Sequence, residues 1–479
     1  MPAATIPVKR LLLINPVNSV RKGFLMRNLS TFPPLALAII AALTPAGWDV
    51  KILDENIKPF EYEDADLVGL TSFTASANRA YEIAGIYRQK GIKTIMGGIH
   101  ASMLPDEALQ FVDSVVIGEA ESVWETVIRD FESGELNKRY AGELLPMGGH
   151  PLPRHELFSN EYSFSAVQTS RGCPMRCDFC SVSTFNGCQY RQRPIDEILD
   201  EIEIIPNKLL FFFDDNIIGY GKQAQQRAIE LFKGMVKRGI KKHWVSQASL
   251  NFADNPEVLK WAARSGCKMI FIGFEAESED QLHDTGKKLN LHMGVTAYRK
   301  VIRRIHRHGI SINGGFIFGM DHDTPESINR RYDYMLKSSI DAFQTTILTP
   351  LPGTALFERL KAENRLLRTN FPGDWKYYDY AEPVIQPANM TPLQLAEAMK
   401  RNHIRIYNRQ SVRKRFRRSL FNIRRFAAAS WGYVTNYNYY CMAFEKEIRA
   451  GNPVYSHWLL SEKAATKPTS ITNRRKRQE

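Results

Sequence analysis

The residues best suited to chemistry are three cysteines in the stretch 172–180, which reads GCPMRCDFC. Cys173, Cys177 and Cys180 are separated by three and then two residues, so one short loop presents all three thiols. Thiolates are soft ligands suited to iron–sulfur clusters, which usually take four of them. A loop that supplies only three therefore leaves one iron of a [4Fe–4S] cluster open to a further ligand.

A structural zinc site or a set of buried thiols is the alternative. Zinc takes four ligands, usually as two close pairs, and the sequence has no second C-x2-C. Residues 162–171 read as a strand that leads into the cysteine loop. The spacing and its context favour the cluster over zinc.

The spacing C-x3-C-x2-C, with Phe179 before the last cysteine, resembles the signature of the radical S-adenosylmethionine (SAM) enzymes. In that family SAM fills the open iron position. An electron from the reduced cluster cleaves SAM to methionine and a 5′-deoxyadenosyl radical, which takes a hydrogen atom from the substrate. The resemblance implies a [4Fe–4S] cluster and SAM as cofactors, and an electron donor such as flavodoxin or ferredoxin as partner.

Length and composition bound the rest of the protein. The 479 residues predict two or three domains. The longest apolar run, around residues 35–43, falls far short of the roughly 20 residues that span a bilayer. The N-terminus leads straight into a strand rather than a signal peptide, and the six cysteines favour a reducing cytoplasm.

Upstream of the cysteines, strands alternate with helices, which predicts a parallel, doubly wound sheet. Strands are expected at 10–15, 48–53, 67–71, 94–96 and 114–117, and helices at 32–43 and 78–90. Such sheets bind ligands in the crevice beyond the strand C-termini, where glycines let backbone approach a ligand. The small and polar residues at those positions are Thr71, Ser72, Gly97, Gly98, His100, Gly118 and Glu119.

By itself this pattern fits a plain α/β turn as well as a nucleotide-like ligand. Placed directly ahead of the cysteines, the domain resembles that of the cobalamin-binding radical SAM family, in which a flavodoxin-like domain holds the corrin and its nucleotide tail. The resemblance implies that residues 1–150 form a cobalamin-binding-like domain and that the seven residues named above contact cobalamin. The rival is a vestigial domain that binds nothing.

One departure concerns the ligand below cobalt. Many cobalamin domains carry Asp-x-His-x-x-Gly, whose histidine ligates cobalt, and this chain has no such motif. We therefore expect cobalamin to bind without a histidine ligand. His100 is the only nearby imidazole, and a tail-pocket or structural role is expected for it.

Residues 151–375 are expected to form the radical SAM core, a partial (β/α)6 barrel with working residues at its strand C-termini. By resemblance, Asp214, Asp215 and Asn216 would hold the SAM ammonium and Glu275 its ribose. Gln247 and Ser249 share one strand face, and the strand with Gly315, Ile317 and Gly319 would pack on the adenine. The remaining cysteines, Cys188, Cys267 and Cys441, are expected to be buried thiols.

Residues 376–479 are expected to form a basic helical appendage with a disordered tail at 463–479. Residues 398–479 carry a net charge of +15, so the rest of the chain, at −2, is close to neutral and unlike a uniformly basic nucleic-acid binder. An apolar stripe marks one helix: Val412, Phe416, Leu420, Ile423 and Ala427. A basic amphipathic helix fits a membrane surface or a partner, and equally an ordinary helix packed on the barrel.

Together these features predict a cobalamin-dependent radical SAM enzyme that methylates an unactivated carbon through methylcobalamin and a 5′-deoxyadenosyl radical. A cyclase or oxidoreductase without methyl transfer is the first alternative, and a non-catalytic cobalamin or redox sensor is the second. The expected substrate is a small molecule, lipid-like or a tetrapyrrole, and the expected location is the cytoplasm or the inner face of the membrane.

Overall fold

The computed structural model describes residues 8–18 and 32–444. The expectations about residues 1–7 and about the basic tail at 463–479 lie outside this range. In the described part of the chain, no helix is both long and apolar enough to cross a membrane.

The N-terminal domain is a six-stranded parallel sheet in the order β2-β1-β3-β4-β5-β6. The order 2-1-3-4-5 is that of flavodoxin-like folds, as predicted. Its strands are β1 (Lys9–Asn15), β2 (Trp48–Asp54), β3 (Leu67–Thr71), β4 (Lys93–Gly97), β5 (Ser114–Ile117) and β6 (Arg139–Ala141). Its helices are α1 (Leu35–Leu43), α2 (Ala77–Gln89), α3 (Ile99–Met103), α4 (Pro105–Ala108) and α5 (Trp124–Ser133).

Strand β1 shows why the chain forms a parallel sheet between two layers of helices. Leu12 and Ile14 pack in one core with α2, whereas Leu11 and Leu13 pack in another with α1 and α5. A strand covered by helices on both faces is apolar at every position rather than at alternate ones. The run LLLI is therefore a direct sequence signal for a doubly wound sheet.

The second domain is another six-stranded parallel sheet, in the order β14-β13-β12-β11-β10-β7, as expected for a partial (β/α)6 barrel. Its strands are β7 (Ser165–Val167), β10 (Leu209–Phe212), β11 (His243–Ala248), β12 (Cys267–Glu275), β13 (Ser311–Phe318) and β14 (Ala342–Ile347). Two short strands, β8 (Ser170–Arg171) and β9 (Arg191–Gln192), pair antiparallel and bracket the cysteine loop.

Helices cover one face of this sheet. On β12, Ile270, Ile272 and Phe274 pack into the core with the helices, so the intervening residues line the opposite, concave face. The helices of this domain are α6 (Val182–Phe185), α7 (Ile195–Ile204), α8 (Gly221–Lys237), α9 (Pro256–Ser265), α10 (Glu279–His283), α11 (Lys288–Met293), α12 (Tyr298–Arg307), α13 (Pro325–Lys337) and α14 (Ala355–Ala362).

The C-terminal part is helical, as predicted: α15 (Pro392–Tyr407), α16 (Arg409–Ile423) and α17 (Phe426–Phe444). The expected single stripe is interrupted, because α16 ends at Ile423 and Arg424 adopts a left-handed conformation with φ 56°. Ala427 therefore belongs to α17 and is exposed. Within α16, Phe416, Leu420 and Ile423 of the predicted stripe pack with Ala428 and Ala429 of α17, so the stripe is used for packing within the protein.

Candidate active site

The cysteine loop begins at a position that only glycine suits. Gly172 has φ 89°, and a Cβ there would lie 2.1 Å from the carbonyl oxygen of Gln189. The loop is held from the far side of the barrel, because the Asp178 amide donates to the Thr285 carbonyl at 3.2 Å and the Leu356 amide donates to the Asp178 carbonyl at 2.9 Å. The three cysteines are thus presented on a fixed loop at the carboxyl edge of the sheet.

Cys173, Cys177 and Cys180 are each partly exposed. Among the described residues, no three His, Cys, Asp or Glu side chains are grouped as ligands of a single metal ion. A [4Fe–4S] cluster places each thiolate on a different iron and does not need that grouping. Burial raises the pKa of Cys180 to about 11 and raises that of Cys177, so cluster assembly must displace thiol protons. The donor set fits an iron–sulfur cluster.

A buried ion pair lies beside this loop. Lys287 Nζ donates to Glu275 Oε1 at 2.7 Å and lies 5.9 Å from the centre of the Phe179 ring. Burial disfavours the ammonium, but Glu275 and the nearby Cys177 outweigh burial and raise the pKa of Lys287. Glu275, the predicted ribose contact, is in a left-handed conformation with φ 63°, which is strained for a residue other than glycine.

Tyr220 is a site residue that the sequence analysis missed. Its hydroxyl lies 3.6 Å from Cys173 Sγ and 3.0 Å from the hydroxyl of Ser249. Ser249 in turn accepts from the Asn216 amide at 3.4 Å. Burial and the neighbouring Cys173 raise the pKa of Tyr220 to about 12, so the tyrosine keeps its proton and can donate to the sulfur. Nothing in the local sequence marks this tyrosine.

Asp214 lies beneath the loop and holds its approach strand. Its Oδ1 accepts from the Thr169 amide at 3.1 Å, the Thr169 hydroxyl at 2.9 Å and the Ser170 hydroxyl at 2.5 Å. Burial raises the pKa of Asp214 to about 6. Asp215 accepts from the Asn186 amide at 3.2 Å. Of the three residues predicted to hold the SAM ammonium, only Asn216 is thus linked to the Tyr220 and Ser249 hydroxyls at Cys173.

The glycine-rich strand β13 lies on the concave side, where adenine contacts were expected. The ring of Phe271 occupies the space beside Gly315, and Ile317 is buried in a neighbouring apolar cluster. The Gly319 amide donates to Asp323 Oδ2 at 2.8 Å. Gln247 lies one pleat before Ser249, on the same face. Packing within the chain accounts for both glycines, and the adenine contact stays a prediction.

The N-terminal sheet has its topological switch point between β1 and β3, where flavodoxin-like folds bind their ligands. At this edge the buried Ser72 hydroxyl has no hydrogen-bond partner among the described residues. Gly98 has φ 89°, and a Cβ there would lie 2.7 Å from the Thr71 hydroxyl oxygen. Gly97 ends the next strand, β4. A free buried hydroxyl beside close backbone fits a ligand with amide and phosphate groups, as cobalamin has.

His100 is fully buried; its Nδ1 has no hydrogen-bond partner among the described residues, whereas its Nε2 is engaged. That nitrogen lies 3.0 Å from the Tyr81 hydroxyl and 3.2 Å from Glu107 Oε1. Glu107 also accepts from the indole of Trp375 at 2.9 Å. The contacts of Nε2 support a structural role for His100, and the choice between a structural and a tail-pocket role stays a prediction.

Glu119 is nearly buried and is paired with the second domain. Its Oε2 accepts from Arg191 at 2.8 Å, and its Oε1 lies 3.4 Å from Arg171. The neighbouring Glu121 pairs with the same Arg171 at 2.6 Å. The amide of Gly118, the residue before Glu119, donates to the hydroxyl of Ser102 in α3. Glu119 therefore joins the edge of one sheet to residues that flank the cysteine loop of the other.

A short 3-10 helix, Gly373–Tyr377, makes a second junction between the domains. Besides the contact of Trp375 with Glu107, the Asn78 amide donates to the Pro372 carbonyl at 2.8 Å. The Asn18 amide donates to the Lys376 carbonyl, also at 2.8 Å. This segment follows the last barrel helix, so chain from beyond the barrel helps to hold the N-terminal domain in place.

Two family descriptions match the chain: "B12 binding domain" over residues 26–128 and "Radical SAM superfamily" over residues 167–335. The chain is 33% identical to bacteriochlorophyllide d C-12(1)-methyltransferase of Chlorobaculum tepidum, over 85% of this chain and 89% of that protein. It is 28% identical to hopanoid C-2 methylase of Rhodopseudomonas palustris, over 72% of this chain and 67% of that protein.

A solved structure has the same fold. It is the cobalamin-dependent S-adenosylmethionine radical enzyme OxsB with aqua-cobalamin bound, with a TM-score of 0.65 and 16% sequence identity. The match covers 96% of this chain and 81% of that one, so it extends through both sheets and the C-terminal helices.

Proposed function

Because the chain belongs to the family of radical SAM enzymes with a B12-binding domain, we propose that it is a cobalamin-dependent C-methyltransferase acting on an unactivated carbon. Its cofactors are a [4Fe–4S] cluster, SAM and cobalamin. Bound together, they supply a methyl group on cobalt and a radical that takes hydrogen from the substrate carbon. The observation that carries the proposal is the pairing of the two sheet edges.

Glu119 follows the end of β5 at the proposed cobalamin edge, whereas Arg171 in β8 and Arg191 in β9 lie on either side of the cysteine loop. These side chains touch, so the two edges lie within one side-chain length of each other at this point. Methyl transfer to a carbon radical needs the methyl donor and the radical source to reach the same carbon. A pair of domains docked through these charges meets that need.

We propose the following roles for the site residues. Cys173, Cys177 and Cys180 hold the cluster, and Tyr220 donates to the thiolate of Cys173. Lys287 keeps a positive charge beside the loop and orients Glu275. The residues proposed to contact SAM are Asp214, Asp215, Asn216, Gln247, Ser249, Glu275, Gly315, Ile317 and Gly319, with Asp214 and Asp215 acting through the loop they anchor. The residues proposed to contact cobalamin are Thr71, Ser72, Gly97, Gly98 and Gly118, and His100 and Glu119 are proposed to support them.

The names of the relatives support a proposal for the substrate class. One is named for a bacteriochlorophyllide and the other for a hopanoid, both of which are polycyclic and largely apolar. We propose a small molecule of this kind, a tetrapyrrole or a polycyclic lipid, as the substrate here. The higher identity and coverage of the bacteriochlorophyllide enzyme favour the tetrapyrrole.

The test is an anaerobic assay of the reconstituted protein with SAM, a low-potential reductant and a chlorophyllide or hopanoid substrate. A methyltransferase releases 5′-deoxyadenosine and S-adenosylhomocysteine together. Release of 5′-deoxyadenosine without S-adenosylhomocysteine would indicate a cyclase or oxidoreductase, and release of neither would indicate a sensor.

Reduction of the cluster needs a one-electron donor, and we propose a flavodoxin or ferredoxin. The five cysteines with described side chains are all free thiols, which fits the reducing cytoplasm. Replacing the chemical reductant with reduced flavodoxin should sustain release of 5′-deoxyadenosine. No release of 5′-deoxyadenosine with either reduced flavodoxin or reduced ferredoxin would argue for a different donor.

We also propose contact with an anionic membrane through the exposed side of α16 rather than through its apolar stripe. Arg413, Lys414 and Arg417 are exposed there. Each basic residue near an anionic surface contributes about 1 kcal/mol. Charge reversal at the three basic residues should abolish salt-sensitive co-sedimentation with anionic liposomes. Binding unchanged by that reversal would contradict this role.

A further inference from the structure

One layer of side chains crosses the inside of the barrel at a single level. Strand pairing sets Gln247 beside Phe271 and Phe271 beside Asn313. The ladder between β10 and β11 places Phe213, the residue after β10, level with Gln247. The chain neighbours of these four residues pack in the core with the helices, so all four side chains point to the concave face.

This layer is not packed solid, unlike the layers that fill a closed (β/α)8 barrel. Phe213, Gln247 and Phe271 stay partly exposed although they lie inside the barrel. Asn313 is only 7% exposed, and its side-chain oxygen has no hydrogen-bond partner among the described residues. A buried amide oxygen without a donor is unfavourable for the protein alone, which fits an acceptor kept for a ligand.

A ring from the N-terminal domain completes an aromatic wall beside this layer. Phe32, just ahead of α1, has its ring centre 4.5 Å from that of Phe211 and 6.1 Å from that of Phe213. The rings of Phe211 and Phe213 lie 4.7 Å apart on the same face of the sheet. All three rings are partly exposed, so the wall offers aromatic surface to the inside of the barrel.

The two ends of this space differ. Helix α17 closes the amino end, where the Thr435 hydroxyl donates to the sulfur of Met269 on β12 at 3.7 Å. Toward the carboxyl end, Ser249 lies two residues beyond Gln247, and its hydroxyl lies 3.0 Å from that of Tyr220 beside the cysteine loop. Two residues of a strand span about 7 Å. The space is therefore blind at one end and leads to the cysteine loop at the other.

We propose that this space takes a flat, conjugated ring system of the substrate, with one face against the rings of Phe211 and Phe213 and a hydroxyl or N–H group donating to Asn313. The inference rests on the proposed methyltransferase function and narrows its substrate class to a tetrapyrrole. Aromatic rings stack on flat conjugated surfaces, and a puckered saturated polycycle offers no such face. A single acceptor at one side orients the ring system and so decides which carbon is presented to the cysteine loop.

The test is a fluorescence titration of the reconstituted protein with chlorophyllide, which reports binding without turnover. Phe213→Ala should weaken binding about tenfold or more, the effect of removing buried phenyl surface. Asn313→Leu keeps the side-chain volume and should weaken binding about fivefold or more, because the donor of the ligand loses its acceptor. The same variant should raise the melting temperature, because an apolar group replaces an unpartnered buried amide. A merely structural Asn313 would not give weaker binding in a more stable protein.

Phe131→Ala is the matched control, because Phe131 is also a partly exposed phenylalanine but packs on Trp48 in the N-terminal domain, at 5.7 Å between ring centres. It should leave the affinity for chlorophyllide unchanged. Asn313→Leu decides alone if Phe213→Ala does not retain its cluster.

Wild-type affinity in the barrel variants would overturn the proposal, and so would a wild-type protein that binds no chlorophyllide. A hopanoid that displaces chlorophyllide at equal concentration would overturn the assignment to a conjugated ring system. The proposed function is measured apart from this binding, by the formation of methylcobalamin from SAM in the wild type. Failure of that step with chlorophyllide binding intact would instead overturn the methyltransferase on which the proposal rests.

Discussion

Replacing Tyr220 by Phe should lower the reduction potential of the cluster. The Tyr220 hydroxyl lies 3.6 Å from Cys173 Sγ and is held by Ser249 at 3.0 Å. Hydrogen bonds to cluster sulfurs are one of the means by which a protein tunes the potential. The substitution removes the hydroxyl and keeps the ring, so the packing around the loop is preserved.

The size of the shift follows from the charge on the sulfur. A hydrogen bond to a charged group contributes about 1.5–3 kcal/mol, and it is stronger in the reduced cluster, which carries one more negative charge. If about 1 kcal/mol of that depends on the redox state, the potential falls by about 40 mV, since 59 mV corresponds to a tenfold change for one electron.

The assay is a redox titration of the reconstituted cluster followed by electron paramagnetic resonance. Tyr298→Phe is the matched control: Tyr298 is also buried, and its hydroxyl donates to the Phe274 carbonyl at 3.1 Å rather than approaching a cysteine. The control should leave the potential unchanged. An unchanged potential in Tyr220→Phe, with the cluster fully assembled, would refute the contact between the hydroxyl and the cluster thiolate.

Substitutions at the cysteines, at His100 and at Asp214 test three further features of the site. Alanine at Cys173, Cys177 or Cys180 should abolish the brown chromophore and SAM cleavage, whereas Cys188→Ala should keep both; loss of the cluster in Cys188→Ala would contradict the assignment. His100→Ala should lower the free energy of unfolding by about 1–3 kcal/mol, because Tyr81 and Glu107 lose a buried partner, but should leave the cobalt spectrum unchanged; a changed spectrum would show that His100 reaches cobalt. Asp214→Asn should raise the melting temperature at pH 7.5. Burial raises the pKa of Asp214 from 3.8 to about 6 in the folded protein, so the free energy of unfolding falls by up to about 3 kcal/mol as pH rises from 4 to 6 and the carboxyl loses its proton. The gain from the substitution should vanish at pH 4, and a gain independent of pH would contradict this cause.

Strand composition made the fold predictable from the sequence. Apolar runs such as residues 11–14 specify strands covered on both faces, and their alternation with helices specifies parallel sheets. The cysteine loop was predictable because its three cysteines lie close together in the chain. Helix α1 begins at Leu35 rather than at residue 32, because the prolines at 33 and 34 precede the helix instead of opening it.

Side-chain directions and long-range pairs were not predictable in the same way. Asp214, Asp215 and Asn216 are consecutive, and the sequence does not say which one faces the cysteines. Glu119 and Arg191 are 72 residues apart, and only the docked domains bring them together. The break at Arg424 carries no glycine or proline signal, so the stripe looked continuous through Ala427.

The central claim is that the methyl group of SAM reaches a substrate carbon. The most direct measurement is mass spectrometry of the product formed anaerobically from SAM that carries a trideuteromethyl group. We expect a product that gains one intact trideuteromethyl group, with S-adenosylhomocysteine and 5′-deoxyadenosine released in equal amounts. A product that forms with 5′-deoxyadenosine but contains no deuterium would contradict it.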